Sequence, residues 1–275
     1  WSRGLGDVYK RQGLTGSLFA GAPAGAASEM RPYYRQLTRT SSAFAFLADI
    51  SMLVLGGSLK RREKLSARLG DILSQMYLAS CVLKRFEEDG RPQEDLPFVH
   101  WALQDCLARI QAAFDGVLSN YPSAFIAWFL RRLLFPLGLN HQPPADSLGH
   151  AITRGLIQPG AQRDRMTAGM YIPKSESDPI GTLEAALVAA IETEPLEAKI
   201  RAAVKSGKLQ ASAGDVTAAA LAAGVITQVE AAKLERATQL RDEVVRVDHF
   251  PQDMGASEAA QLLDDARSAR QRAAA

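Results

Sequence analysis

The side chains best placed to do chemistry in this 275-residue chain are cations and aromatics rather than nucleophiles. Lys60-Arg61-Arg62-Glu63-Lys64 crowds four positive charges into one short run at the start of a helical pattern. Such a cluster would meet the phosphates of a ligand or of lipid headgroups. A solvated helix face would look the same, because cations near a helix N-terminus oppose its dipole only mildly. Phe125-Ile-Ala-Trp-Phe-Leu-Arg-Arg-Leu-Leu-Phe135 joins apolar and aromatic residues to a pair of arginines. It would lie in a membrane interface, dock a partner subunit, or simply fill the core as one more helix. The residues singled out for partner or membrane contact are therefore Lys60, Arg61, Arg62, Trp128, Arg131 and Arg132. Asp49 interrupts an apolar stretch, and an outward-facing carboxylate is the plainer reading of it.

The groups that would make an enzyme are not assembled. His100, His141, His150 and His249 are widely separated, and each reads as solvated or capping. Cys81 and Cys106 have no metal-ligand neighbours and read as two reduced core thiols of a cytosolic protein. There is no His-Glu-x-x-His pair, no Cys-x-x-Cys and no glycine-rich phosphate cradle following a strand. No catalytic, metal-binding or cofactor-binding residue is assigned. The net charge of +2 comes entirely from Arg3, Lys10 and Arg11 against Asp7, which leaves 29 basic and 29 acidic residues elsewhere. Nucleic-acid binding needs a basic excess or stripe, so no nucleic-acid partner is expected.

The elements that must position these residues are helical. Hydrophobic content of 47% with 23% charged residues excludes wholesale disorder, and abundant alanine with few β-branched runs favours helix over strand. Leu37, Ser41, Phe44, Ala48, Ser51 and Leu55 recur at helical spacing, and Gly56-Gly57 supplies a stop. Leu65, Leu69, Ile72, Met76, Ala79, Leu83 and Phe86 follow the same rhythm without a break, ended by Gly90-Arg-Pro92. A third stripe carries Val99, Leu103, Cys106, Ile110, Ala113 and Val117. A fourth, within 123–135, carries Ile126, Phe129 and Leu133. Arg68 and Gln111 fall off these stripes and read as surface.

The expected fold is all-α: an antiparallel four-helix bundle over 31–139, a proline-broken wrapping linker over 140–179, and further helices over 180–250. Thr227 and Glu230 form a capping box for the last of these. The tail 251–275 reads as a loosely attached helix. Residues 13–30 read as a flexible connector, and residues 1–12 as a linker-like, non-native segment excluded from fold reasoning. The natural chain is expected to continue upstream. No apolar run reaches the roughly 18–20 residues that span a bilayer, the longest being Ala43–Gly57, and nothing reads as a signal peptide.

Several of these segments carry a family resemblance. Tyr34-Arg-Gln-Leu-Thr-Arg39, the apolar run from Ala43 to Gly57, the segment from Leu59 to Asp71, Tyr77–Phe86, Glu94-Asp-Leu-Pro-Phe-Val-His-Trp101, Arg163-Asp-Arg-Met-Thr-Ala-Gly169 and Arg246-Val-Asp-His-Phe250 occur in order. Together they resemble the C-terminal part of bacterial fatty acyl-CoA dehydrogenases of the FadE type, over about residues 31–250.

The resemblance implies a parent flavoprotein of fatty-acid β-oxidation that converts a fatty acyl-CoA to its trans-2-enoyl thioester. In that family a glutamate takes the α-proton, a hydride passes to FAD, and electrons leave to an electron-transferring flavoprotein. The family's glutamate and flavin contacts lie upstream of the segment resembled here, so none is carried over. FAD is expected in the parent and not in this chain. The partners implied are the upstream dehydrogenase domains, with fatty acyl-CoA and the electron-transferring flavoprotein for the parent. This chain's expected work is structural support, with docking to a membrane surface or β-oxidation partner as the alternative. The expected location is the cytoplasm, with peripheral contact at the inner membrane.

Overall fold

The computed structural model describes residues 21–173, 175–209 and 216–246, with a few positions between 255 and 263. The linker-like segment 1–12, residues 13–20 of the connector and most of the tail lie outside the described residues. All regular structure among the described residues is helical, so the fold is all-α. The chain divides into two compact units, one ending at Met166 and one starting at Thr167.

The first unit is built on three long helices: α1 (Arg31–Leu55), α2 (Glu63–Glu88) and α3 (Leu96–Ser119). One core cluster joins Ala43 and Leu47 of α1 to Leu65, Leu69 and Ile72 of α2 and to Ile110, Phe114 and Val117 of α3. A second joins Met30, at the entry of α1, to Leu83 and Phe86 of α2 and to Val99 and Leu103 of α3. The end of α1 therefore lies with the start of α2 and the end of α3, which makes neighbouring helices antiparallel. The short α4 (Ala124–Leu134) adds Leu130 and Leu134 to the first cluster, with Phe114 and Phe135 edge to face at 5.7 Å. Arg39 on α1 donates to the Leu134 carbonyl at 3.1 Å and ties that helix down.

The α2 stripe is buried residue for residue as spaced in the sequence. Three other readings need correction. On α1 the buried line is Thr40, Ala43, Leu47 and Ser51, one step from the expected stripe. Ser41 is exposed, and Phe44 and Ala48 are half-buried. A helix whose apolar and small residues spread around its circumference offers several nearly equivalent faces, and neighbouring helices decide among them. On α4 the buried residues are Leu130 and Leu134, while Phe129 is half exposed. On α3 Phe114, rather than Ala113, fills the central layer.

Length also misled for α1. The segment Arg31–Arg61 is long and apolar enough to cross a membrane by length and composition, because a single Asp49 does not outweigh its apolar neighbours. One such helix is weak grounds for a span, and this one presents Leu47, fully buried, to the unit's core. Its last turn leaves Met52, Leu53 and Val54 exposed, Leu53 at 81%. Asp49 faces outward. Gly56, at φ +49°, ends the helix in a conformation that other residues rarely adopt.

Residues 21–30, read as connector, dock on the far end of the unit. Met30 is fully buried, the Ala27 amide donates to Glu87 at 3.2 Å, and Arg91 reaches the Gly25 carbonyl at 2.5 Å. His100 and Cys81 also differ from expectation. His100 is hydrogen-bonded to the Tyr33 hydroxyl at 2.9 Å, and burial holds its pKa below the ordinary histidine value. Cys81 lies off the α2 stripe and is exposed, while Cys106 is buried.

Beyond α4 the chain wraps α3. Helix α5 (Asp146–Ile157) packs on α3, and α6 (Ala161–Met166) packs on α5. Gln111 of α3 is no surface residue: its amide donates to the His141 carbonyl and accepts from the His141 amide, both at 2.9 Å.

The second unit is a smaller helical assembly. Helix α7 (Pro179–Lys205) packs along α9 (Gln228–Val244), with α8 (Val216–Ala222) beside α9. Ile200, Ala203, Leu209, Ala220, Ile226, Ala231 and Leu234 form its core. The Thr227–Glu230 capping box is present with both bonds, at 3.3 and 2.6 Å. At the start of α7, Gly181 lies so close to the Ser175 carbonyl that a Cβ would sit 2.0 Å from its oxygen. Only glycine lets that loop cross the helix there.

Candidate functional site

Antiparallel packing brings four chain segments to one end of the first unit: the end of α1, the start of α2, the end of α3 and the start of α4. The turn Gly56–Arg61 delivers Lys60, Arg61 and Arg62 to this end, all exposed. Arg61, Arg62, Lys64 and Arg68 line one open cleft of about 540 Å³ with Glu63, Leu65 and Asn120. Among the described residues none of Arg61, Arg62 and Lys64 has an ion-pair partner.

Arg68 completes the cleft because of what α3 lacks. Its side chain lies across Gly116, where a Cβ would meet its Cδ and Nε at 2.9 Å. A hydrogen bond from Arg68 to the Lys64 carbonyl, 3.4 Å, is the remaining tether. The first turn of α2 receives no help from its N-cap, since Arg62 offers no side-chain acceptor.

The aromatic helix starts from the same end. Phe125 and Trp128 stack at 6.4 Å and are 74% and 61% exposed. Of the two arginines singled out beside them, Arg131 is committed to the fold. It pairs with Asp115 at 2.5 Å and donates to Ser119 at 3.0 Å, while Arg132 is exposed. The structure thus groups Lys60, Arg61 and Arg62 on one turn, withdraws Arg131, and adds Arg68 and Asn120. The 61–64–68 spacing is a signal that could have found Arg68. Asn120 depends on which end of α3 meets α2, and no spacing reveals it.

At the opposite end, a cavity of about 420 Å³ lies between α2, α3 and the α5–α6 wrap, lined by Val82, Phe86, Phe98, Trp101, Ile152 and Leu156 among others. Its charged neighbours serve one another. Arg85 pairs with Asp89 at 3.2 Å and donates to the Arg165 carbonyl at 2.8 Å. Arg165 forks onto Asp95, at 3.0 and 3.2 Å, and reaches Glu94 at 2.7 Å. Asp95 is 3% exposed. Hydrogen bonding to Asp95, then to Glu94, raises the Arg165 pKa, and the Arg165 hydrogen bond holds Glu94 below the ordinary glutamate value.

These residues do not fit a flavin. The wall is apolar, the cations around it are already paired, and no glycine-rich turn links a strand to a helix among the described residues. No cluster of histidine, cysteine and carboxylate fit for a metal ion occurs among the described residues either.

One guanidinium fork, from Arg165 to Asp95 and Glu94, joins the wrap of this helical unit to its core. The fork also joins two of the segments that carry the resemblance, Glu94–Trp101 and the one beginning at Arg163. The family described as "Acyl-CoA dehydrogenase, C-terminal, bacterial type" matches residues 10–250, and the chain belongs to that family. No solved structure matches the chain.

Proposed function

We propose that this chain is the C-terminal helical part of an FAD-dependent acyl-CoA dehydrogenase of fatty-acid β-oxidation, whose parent converts a fatty acyl-CoA to the trans-2-enoyl-CoA. Its own work is structural support of the upstream domains, which hold the FAD and meet the electron-transferring flavoprotein. The family match over residues 10–250 carries this reading. Exposed apolar residues support the docking role, since Met52, Leu53, Phe125 and Phe129 form surface that a domain contact would cover.

The test is complementation. The purified chain should show no flavin absorbance and no dye-coupled turnover of palmitoyl-CoA. Co-expressed with the upstream part of the parent reading frame, it should co-purify and raise that part's thermal midpoint. Flavin bound stoichiometrically by this chain alone, or no association with the upstream part, would sink the proposal.

The second reading is docking to a membrane surface, at the cytoplasmic face of the inner membrane. It is favoured by a specific observation: Lys60, Arg61 and Arg62 lie at the end of the unit from which the helix carrying the exposed Phe125 and Trp128 starts, with Arg132 exposed further along that helix. Cations for anionic headgroups beside an amphipathic ring pair are what an interfacial contact uses. Co-flotation with liposomes that is abolished by Trp128→Ala would support it, and flotation unchanged by that variant would count against it.

A further inference from the structure

We infer that the cleft formed by Arg61, Arg62, Lys64 and Arg68 is an anion-binding site for a phosphate-bearing group. With a lipid headgroup as the source the inference deepens the membrane reading above; with a free phosphate as the source it stands without either reading, and the two arms of the experiment separate these cases. Its first ground is composition in space. The cleft is lined by four cations and one carboxylate, Glu63. The chain outside its first twelve residues is electrically neutral, so this concentration is local.

The second ground is the cost of the arrangement. Like charges brought to one cleft repel, and the N-terminus of a 26-residue helix adds positive potential of its own. Several cations elsewhere in the first unit have a carboxylate partner: Arg85 has Asp89, Arg91 has Glu87, Arg109 has Asp105 and Arg131 has Asp115. Those in the cleft have no carboxylate to offset them beyond Glu63, and a bound anion would supply the missing charge. Guanidinium groups suit phosphate because they present paired donors to its oxygens.

The third ground is positioning. A Cβ at residue 116 would meet the Arg68 stem at 2.9 Å and force it to shift, so glycine there lets the stem lie against α3 at the cleft. Asn120 holds its own amide to the Gly116 carbonyl at 2.8 Å, which fixes the rim. The ligand class is a phosphate or pyrophosphate group, either on a free metabolite or on an anionic lipid.

The experiment separates the two sources. The full chain is titrated with inorganic pyrophosphate by calorimetry, and sedimented with vesicles of phosphatidylcholine alone or mixed equally with phosphatidylglycerol. Saturable pyrophosphate binding assigns the free-phosphate source. Sedimentation only with the phosphatidylglycerol vesicles, without pyrophosphate binding, assigns the headgroup source. In either arm Arg61→Gln with Arg62→Gln should weaken binding at least tenfold. Gly116→Ala should weaken it several-fold by displacing Arg68, without lowering the thermal midpoint. Lys205→Gln, an exposed cation of the second unit, should leave it unchanged. No binding in either arm overturns the site, as does full affinity in the double variant or in Gly116→Ala, or an equal loss in Lys205→Gln.

Discussion

The two ends of the first helical unit use charge in opposite ways. Where α2 ends and α3 begins, charges meet their complements: Arg165 on Asp95 and Glu94, Arg85 on Asp89, Arg91 on Glu87 and the Gly25 carbonyl. Where α2 begins and α3 ends, Arg61, Arg62 and Lys64 line a cleft with no ion-pair partner among the described residues, beside exposed aliphatic and aromatic side chains. The first end spends its charges on holding the chain together. The second holds them in reserve. Charge that closes on itself stabilises a fold, and charge left open is available to something outside it.

The core common to both ends sets the scale. Ile72 and Ile110 are 0% and 3% exposed in the same cluster. Truncating either to alanine removes buried methylenes and leaves a cavity, so Ile72→Ala and Ile110→Ala should each cost about 2–5 kcal/mol in denaturant melts. Smaller losses would mean that the three long helices do not share one core, and the comparison of their ends would lose its frame.

The closed end should give the next largest effect. Asp95 is buried and receives two bonds from one guanidinium. Asp95→Asn removes the charge and one acceptor at nearly constant volume, and should cost about 1.5–3 kcal/mol, as hydrogen bonds to charged groups do. Arg165→Met should be worse still, because it leaves the carboxylate buried without its donor. If both variants melt with the wild type, the fork is ornament and the closed end is not closed.

Acid sharpens the same point. The Arg165 bond holds the folded-state pKa of Glu94 below its unfolded value. The stability this contributes is present above the unfolded pKa and is lost as pH falls through the folded one. Thermal midpoints should therefore decline in acid below the ordinary glutamate range. Glu94→Gln should flatten part of that decline.

A milder effect belongs to the wrap. Gln111 exchanges two hydrogen bonds with the backbone of His141. Gln111→Ala should cost about 1–2 kcal/mol at roughly 1 kcal/mol per bond. A change within about 0.5 kcal/mol would return Gln111 to the surface residue its spacing suggests.

That residue shows where sequence reading stops. Helix α2 was legible because its seven buried positions follow an unbroken 4-3 spacing, even though Leu73, Tyr77 and Leu78 stand exposed between them. Helix α1 was legible as a helix but not in its facing, since alanines and serines make several stripes nearly equal and only contact with α2 and α3 selects one. The capping box at Thr227 was legible because both partners lie within one turn. Gln111 was not, because its partner is 30 residues away on a loop without periodicity. The cation run at 60–64 was visible from composition. Its cleft was not, because Arg68 needs Gly116 and the rim needs Asn120, and those relations exist only after α2 and α3 pack.

The smallest expected effect is also the one with the unusual sign. Arg62 precedes the first turn of α2, offers it no side-chain acceptor, and shares a cleft with three other cations. Its charge opposes the helix dipole and repels its neighbours, while exposure and salt weaken both effects. Arg62→Gln should therefore leave stability within about 0.5 kcal/mol and, at low ionic strength, move the thermal midpoint upward. The same removal of one charge at Asp95 should move it downward, so the two variants separate open charge from closed charge by sign. Raising the salt concentration should erase the gain in Arg62→Gln. Adding pyrophosphate should reverse the order, stabilising the wild type more than the variant, because a ligand stabilises the form that binds it. A loss of more than about 1 kcal/mol in Arg62→Gln without ligand would show that Arg62 has a structural role. The open end would then be closed by a contact of its own.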